Sequence, residues 1–502
     1  LRNEDRSLSS ERRYGPRRLA SLFANDVAIA ADQGNVWIQG LTADSRNVAR
    51  GTLFAALPGA KADGAKFIPQ ALEAGAAAIL TDERPLEAEA PVPVIRVADP
   101  RRALSLAAAR FYARQPRTVV AVTGTNGKTS VTVFLRQIWE KAGHRAASLG
   151  TIGLVSPGGA VTGSLTTPDP VKLHETLGDL AEDKVTHLAL EASSHGLEQR
   201  RLDGVRFSAG AFTNLSRDHL DYHSTLQEYL EAKLRLFDTL LPKGAAAVAD
   251  ADQAEAEKVR HLAKSRELEF LSVGSKGETL KLLSVTRMQD GSRLLVEAWG
   301  EKHYVSLPLV GHFQISNALV AAALAIATGV DPAKALDALS HLKGASGRLE
   351  LVGTHPSGAQ VFVDYAHTPD ALANALQALR PHAEGKLVVV FGAGGDRDPG
   401  KRPLMGEAAS VNSDRAIVTD DNPRSEDPAA IREAVMEGAK GAAEVGDRRK
   451  AIRHAIAGLG RGDILLIAGK GHETGQDIGA KILPFSDQEE ARQALAAVGV
   501  PA

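Results

Sequence analysis

Val119-Val120-Ala121-Val122-Thr123-Gly124-Thr125-Asn126-Gly127-Lys128-Thr129-Ser130 is the stretch on which the reading of this chain turns. Its apolar opening predicts a buried strand, and Val131, Leu135, Ile138 and Trp139 repeat at helical spacing after it. Strand, glycine loop and helix are the context a phosphate-binding loop requires. Gly124 and Gly127 let the backbone approach phosphate oxygens, and the helix start adds unpaired N–H groups and a positive dipole end. Thr125 and Asn126 complete the loop, Lys128 would reach the outer phosphates, and the hydroxyl of Thr129 or Ser130 could ligate Mg²⁺. The strict G-x-x-x-x-G-K-[ST] spacing is not met, because Val122 stands where its first glycine belongs. ATP with Mg²⁺ is the expected ligand.

Around that loop, 502 residues leave room for about three domains. The chain is 44% hydrophobic and 24% charged, so each domain can bury a core. A net charge of -2 gives no reason to expect nucleic acid or an anionic membrane as partner. The absence of cysteine excludes disulfides, thiolate metal sites and a cysteine nucleophile. The charged amino terminus lacks the apolar core of a signal peptide, and the apolar stretch Ala318 to Val330 is too short for a membrane span. A cytoplasmic protein without membrane insertion is expected.

Upstream of the loop, short strands at Trp37-Ile38, Thr52–Leu57, Ala77–Leu80 and Val92–Val97 alternate with alanine-rich helices. They predict a small α/β domain over residues 1–114. Gln115-Pro116 breaks the chain, and a central domain follows over 115–343. There Thr186–Leu190 reads as a strand ending in Glu191, and Ala209–Thr213 as one running into N-L-S-R-D-H-L-D-Y-H. Ligands of open α/β sheets bind beyond the carboxyl ends of strands, where Lys128, Glu191 and His219 all fall. Three such residues on one edge indicate a nucleotide–metal site. In Ser224–Leu240, Leu226, Leu230, Phe237 and Leu240 mark one helical face, and Lys233 shares it. Lys233 either snorkels from the stripe's edge or faces into an active site. Val285–Leu307 reads as a hairpin turning at Asp290-Gly291.

The glycine-rich K-G-A-S-G-R-L-E near Gly344 opens a third, doubly wound domain over 344–502. Its strands, Gln360–Val363, Leu387–Phe391, Ala416–Thr419 and Ile464–Ala468, empty into D-Y-A-H-T-P-D, G-A-G-G-D-R-D, D-D-N-P-R and G-K-G-H-E. Gly392, Gly394 and Gly395 do not make a dinucleotide fingerprint, since Arg397 replaces its third glycine.

With these loops together, the sequence resembles the Mur ligases of peptidoglycan synthesis. T-G-T-N-G-K-T-S, E-A-S-S-H-G, D-Y-A-H-T-P-D and D-N-P-R carry the resemblance, which runs from about Leu19 to the end. It implies three α/β domains: a small UDP-sugar-binding one, a central P-loop ATPase-like one, and a C-terminal Rossmann-like one for the incoming amino acid. It implies an ATP- and Mg²⁺-dependent amide ligase, working through an acyl phosphate. The implied substrates are UDP-N-acetylmuramoyl-L-alanyl-D-glutamate and meso-diaminopimelate, and a monomer is expected.

The resemblance places Lys128, Glu191, His219, Asn317, Arg348 and Asp364 at shared catalytic and ATP-site positions. Lys233 matches a lysine the family carbamylates to make an anionic Mg²⁺ ligand. Ala43, Ser45, Ala60-Lys61-Ala62, Thr166-Thr167, Ser193, Gln199 and Arg201 match UDP-sugar-peptide contacts. Arg397, Asp421-Asn422-Pro423-Arg424, Gly469 and Glu473 match diaminopimelate contacts. The Ala60-Lys61 pair departs from the more polar residues of relatives. D-N-P-R and the long amino-terminal domain argue against a sister Mur ligase or folylpolyglutamate synthetase. A non-catalytic ATP switch gives no reason for four polar loops on one sheet edge.

Overall fold

Short apolar runs divided by polar turns give the amino-terminal part four parallel strands, β1 (Gly40–Thr42), β2 (Thr52–Ala55), β3 (Ala78–Thr81) and β4 (Val94–Arg96), paired in that order. The strand expected over Val92–Val97 is shorter than its apolar run because Pro93 has no N–H to give the ladder. Trp37-Ile38 pairs instead with Arg17-Arg18, antiparallel. Helix α1 (Pro100–Tyr112), capped by the Asp99 carboxylate on Arg102 N–H, buries Leu104, Ala107, Ala108 and Phe111 against this sheet.

This is a computed structural model, which describes residues 14–499 except 25, 28, 60–62, 87–89, 162, 164, 217–221, 289 and 290. The chain divides into two compact units, Leu1–Lys128 with Trp139–Ser272 and Ala323–Val330, and Thr129–Ile138 with Val273–Ala322 and Asp331–Ala502.

In the first unit the phosphate-loop strand is β5 (Thr118–Thr123). After it along the chain come α2 (Lys128–Lys141), of which Thr129–Ile138 belong to the second unit, β6 (Ala146–Gly150), β7 (Gly153–Ser156), β8 (Gly159–Val161), α3 (Pro170–Glu182), β9 (His187–Glu191) and α4 (Ser194–Glu198). Then follow β10 (Ala209–Phe212), α5 (Leu226–Arg235), β11 (Ala246–Asp250) and β12 (Glu269–Gly274). The sheet order is β8-β7-β6-β9-β5-β10-β11-β12. β6, β9, β5, β10 and β11 run parallel, and β7 and β8 fold back at the edge. All six residues of β5 are buried, which explains an unbroken apolar run where a half-exposed strand would alternate. The loop after β5 therefore emerges from the middle of the sheet.

The second unit holds an antiparallel ribbon, β13 (Leu280–Met288), β14 (Gly291–Ala298) and β15 (Glu301–Leu307). Met288 pairs with Gly291, so the expected hairpin is present, while Asp290 lies outside the described residues. Helices α6 (His312–Ala327) and α7 (Pro332–Leu339) lead to β16 (Glu350–Thr354), β17 (Gln360–Asp364), α8 (Pro369–Leu379), β18 (Leu387–Phe391), α9 (Lys401–Asn412) and β19 (Arg415–Val418). The chain ends through α10 (Pro428–Met436), β20 (Ala443–Glu444), α11 (Arg448–Ala457), β21 (Ile464–Ala468), β22 (Gly475–Asp477), β23 (Ile482–Pro484) and α12 (Asp487–Val498). The sheet runs β16-β17-β21-β18-β19-β20, parallel except for β16, between one core under α8, α9 and α10 and another under α11 and α12. Asp364 is in register with Ala468, and Phe391 with Val418, so the four polar loops leave one edge together. The α/β architecture is the one the sequence led us to expect.

Candidate active site

Gly124 takes φ 139° and Gly127 φ 86°, conformations side-chain-bearing residues rarely adopt. A Cβ at Gly124 would also collide with the Thr213 hydroxyl. That hydroxyl donates to Asn126 O (2.6 Å). Asn214 O accepts from Thr125 N, and Asn214 Oδ1 from Asn126 N (3.0 Å). Ser216 N donates to Thr125 Oγ1 (3.0 Å). The segment after β10 thus braces the loop after β5. This bracing by Thr213, Asn214 and Ser216 was not read from the sequence, although T-N-L-S directly follows a strand end.

Lys128 is half-buried, and its Nζ donates to Gly124 O (3.0 Å) and Thr125 O (2.7 Å). Lys233 is buried, its Nζ donating to the same Gly124 carbonyl (2.7 Å) and lying 4.0 Å from the Tyr229 ring centre. The structure decides between the two readings of Lys233: it does not snorkel. Leu226, by contrast, stands exposed on the first turn of α5, capped by Thr225, while Leu230 and Phe237 are buried. Two cations thus converge on one carbonyl of the loop and concentrate positive charge there.

Glu191 ends β9 in register with Val122 on β5. Its carboxylate accepts from Thr151 N (2.9 Å) and Thr151 Oγ1 (3.1 Å). A Cβ at Gly150 would strike Glu191 Oε1, so the glycine makes room for the carboxylate. Thr151 Oγ1 lies 3.0 Å from Thr166 Oγ1. The chain of polar contacts continues from there. Thr167 Oγ1 donates to Glu191 O (2.8 Å) and is met by Ser193 N and Oγ, each at 3.0 Å. Arg201 donates to Thr167 O (2.7 Å) and to Gln199 Oε1 (2.7 Å), whose amide reaches Tyr222 OH (3.1 Å). Ser105 of α1 anchors this cluster by donating to Arg201 O (3.1 Å) and Asp203 O (2.9 Å). Five residues expected on the UDP-sugar-peptide side thereby form one group beside Glu191.

Ala43 and Ser45 make no hydrogen bond to that group among the described residues. Asp44 beside them is spent on Arg46, which holds its carboxyl down at about 2 by side-chain and backbone hydrogen bonds. His219 and Ala60–Ala62 lie outside the described residues.

In the second unit Thr129 and Ser130 are buried on the first turn of α2. Arg348 Nη2 is 3.5 Å from Thr129 Oγ1, and its guanidinium lies 4.7 Å from the Tyr365 ring centre. Gln314 connects Asn317, which donates to Gln314 Oε1 (3.2 Å), with Arg348, whose carbonyl accepts from Gln314 Nε2 (3.4 Å). Asp364 accepts from Leu349 N (2.6 Å) and Ala366 N (2.8 Å). Burial raises its carboxyl pKa despite Arg348 and these two N–H groups, which lower it. The connector and the G-K-G-H-E loop cross at Gly347 and Gly471, where a Cβ on Gly347 would strike His472 N.

The loops after β19 and β21 meet at Asn422. Its Nδ2 donates to Glu473 Oε2 (2.8 Å), and its Oδ1 accepts from Lys470 Nζ (2.8 Å) and Asp477 N (2.9 Å). Asp421 Oδ1 accepts from Asn422 N (2.7 Å), and its buried Oδ2 has no hydrogen-bond partner among the described residues, facing Gly469 where a Cβ would fall. Arg424, at φ 52°, donates from Nη1 to Gly395 O (2.6 Å) and pairs loosely with Asp477 (3.9 Å). Glu426 is taken by Arg402 and Asp396 N, and Asp427 caps α10, so neither carboxylate engages Arg424. Arg397 is exposed, and Pro423 is buried between Asn422 and Arg424. Lys470, wholly buried, was passed over in the sequence, although a lysine between two glycines after a buried strand is a signal for it.

The chain matches three family descriptions in succession, "Mur ligase family, catalytic domain" over residues 37–112, "Mur ligase middle domain" over 122–325, and "Mur ligase, glutamate ligase domain" over 347–471. It is 58% identical to the UDP-N-acetylmuramoyl-L-alanyl-D-glutamate–2,6-diaminopimelate ligase of Bradyrhizobium diazoefficiens, across 95% of this chain and 99% of that one. The enzyme of that name from a Chelativorans species is 57% identical, over 92% and 95%. A solved structure of a ligase so named superposes with a TM-score of 0.71 at 34% identity, covering 96% of this chain and 99% of that one. With domain matches from residue 37 to 471 and near-full-length relatives at this identity, the chain belongs to the Mur ligase family.

Proposed function

We propose that this protein is the ATP-dependent ligase that joins meso-diaminopimelate to UDP-N-acetylmuramoyl-L-alanyl-D-glutamate in the cytoplasm, acting as a monomer. Residues 1–114 would hold the UDP-sugar, 115–343 ATP, and 344–502 the amino acid. The reading rests above all on Glu191, in register with Val122 two residues before Gly124, with the Thr166–Arg201 group beside it. A phosphate loop and a polar pocket for a second substrate thus leave adjacent strands.

A carboxylate is a poor acyl electrophile. ATP supplies the phosphoryl group that makes the D-glutamate side-chain carboxylate reactive. That carboxylate oxygen forms the new P–O bond as ADP leaves, and the amine nitrogen then forms the C–N bond as phosphate leaves. Lys128 would gather positive charge where the transferring phosphoryl group sits, the dominant requirement of such transfers. The Thr166, Thr167, Ser193, Gln199 and Arg201 group would orient the UDP-sugar-peptide, and positioning alone contributes heavily to a two-substrate reaction. Asn422, Arg424, Gly469 and Glu473, with Arg397 and Asp421, would hold the amino acid, while Asn317, Arg348 and Asp364 would serve the nucleotide.

For Mg²⁺ the chain offers hard oxygen donors, the Thr129 and Ser130 hydroxyls and the Glu191 carboxylate. Lys233 as an ammonium is no ligand; only its carbamate would be.

Phosphate release from ATP by the purified protein tests the reading. Release should require both UDP-N-acetylmuramoyl-L-alanyl-D-glutamate and an amino acid, with diaminopimelate far better than lysine. ATP turnover independent of either substrate would remove the ligase assignment.

A further inference from the structure

The amino-acid loops contain a buried cation that no contact to a substrate explains. Lys470 has no exposed surface, and its Nζ is shared between Asn422 Oδ1 and Glu473 Oε2, each at 2.8 Å. A buried lysine is costly unless its charge and N–H groups are satisfied, and here both partners belong to the proposed amino-acid pocket. The second donor to Asn422 Oδ1 is Asp477 N, from the β22–β23 hairpin, at 2.9 Å. With two donors on it, that oxygen is committed. One N–H of the same carboxamide is committed as well, to Glu473 Oε2.

A carboxamide is nearly symmetric in shape, and only its partners decide which end carries the donors. Turning Asn422 over would set its NH₂ against the Lys470 ammonium and the Asp477 N–H, and its oxygen against the Glu473 carboxylate. Every contact would become like against like. Among the described residues no partner takes the second Asn422 N–H or Glu473 Oε1, so that N–H is held as a donor and that oxygen as an acceptor toward the proposed amino-acid pocket. A pocket with this polarity fits an amino acid that presents a carboxylate to Asn422, and one that lacks it leaves that N–H without a partner.

We propose that Lys470 is a positioning residue for specificity. By holding the Asn422 carboxamide in one sense, it makes the pocket read the carboxylate that separates diaminopimelate from lysine. The proposal rests on the ligase reading above, so wild-type enzyme is assayed first. Failure of substrate-dependent phosphate release there would end that reading, whereas an active wild type leaves this inference to be judged by the variants.

The experiment compares kcat and KM for diaminopimelate and for lysine in wild type, Lys470→Met, Lys470→Gln, Asn422→Ala and the Lys470→Met/Asn422→Ala double variant. Lys470→Met should raise the diaminopimelate KM at least tenfold and narrow the preference over lysine. The KM values for ATP and the UDP-sugar-peptide should stay within twofold. Lys470→Gln, which keeps an N–H donor on a side chain one bond shorter, should recover part of the preference. In the Asn422→Ala background, Lys470→Met should add less than twofold, since its effect passes through that side chain. An unchanged preference in folded Lys470→Met, an equal rise in all three KM values, or full additivity in the double variant would each overturn the proposal.

Should Lys470→Met not fold, Asn422→Asp decides. The held oxygen stays on Lys470, and the other group becomes an acceptor that faces both Glu473 Oε2 and the pocket, where it repels a carboxylate. The preference for diaminopimelate should then fall below that of Asn422→Ala. Equal preferences in those two variants would contradict a fixed carboxamide.

Discussion

At the scale of single residues, the site is decided by where cations end up. Lys233 lies on an apolar helical stripe, and a stripe cannot say whether a lysine tip turns out to water or inward. The tip turns inward because Gly124 O and the Tyr229 ring receive it. We expect Lys233→Ala to lose nearly all ligation while staying folded, and Lys233→Arg to fail too if an anionic carbamate is what acts there. Steady-state phosphate release checks both, and an active arginine variant removes any need for an anion at that position. Arg424 carries a second expectation. With Glu426 and Asp427 engaged elsewhere, its guanidinium is held, among the described residues, by Gly395 O and loosely by Asp477. Arg424→Ala should raise the diaminopimelate KM by roughly 30-fold or more, the effect of losing about 2–5 kcal/mol, and leave that for ATP nearly unchanged. Equal discrimination against lysine in the variant would make Arg424 a structural residue only.

At the scale of elements, strands and the loops they empty into were legible because a fully buried parallel strand is written as an unbroken apolar run ending abruptly in polar residues. Val119–Val122, Leu387–Phe391 and Ile464–Ala468 all follow this pattern. What could not be read was partnership between loops distant in sequence. Asn214 bracing Asn126 and Lys470 fixing Asn422 depend on which strand ends become neighbours, and spacing along the chain does not carry that. Leu226 misled for a local reason, since a residue on the first turn of a helix follows the periodicity without reaching the core. One further pair belongs to this scale. Arg448 on α11 and Asp487 on α12 form a fully buried bidentate salt bridge at 2.7 Å, and Arg448 also donates to Ala468 O (2.8 Å) and Asp420 O (3.3 Å). Removing one partner strands the other without water, so Arg448→Met should destabilise by about 3–5 kcal/mol in urea unfolding. Replacing both residues with apolar ones should cost much less, and equal costs would show that packing, not charge, holds these helices.

At the scale of the whole molecule, acid should weaken the fold before carboxylates alone would. Burial pushes His174 down to about 4, opposed by its hydrogen bond to Asp203 O. His187 is likewise lowered to about 4 by burial, with the nearby charges of His144 and Arg117 adding to the effect. Unfolded, each ring takes a proton near 6.5, so between there and about 4 the unfolded chain binds more protons than the folded one. The stability they contribute is complete above about pH 6.5 and is lost as pH falls to 4, on the order of 3 kcal/mol per ring at most. Melting curves across that window should fall less steeply for His174→Gln/His187→Gln than for wild type; parallel curves would show that neither ring is forced to stay neutral.

The crossing of Gly347 over Gly471 has a consequence for how this sequence can drift. Neither position can gain a side chain while the other backbone lies against it, and both take left-handed φ values, 65° and 52°. A tolerated change at one would need a shift of the other strand of chain, which carries Arg348 on one side and Lys470 and Glu473 on the other. In a saturation library the two glycines should therefore behave as a single inherited letter, silent only when both are kept.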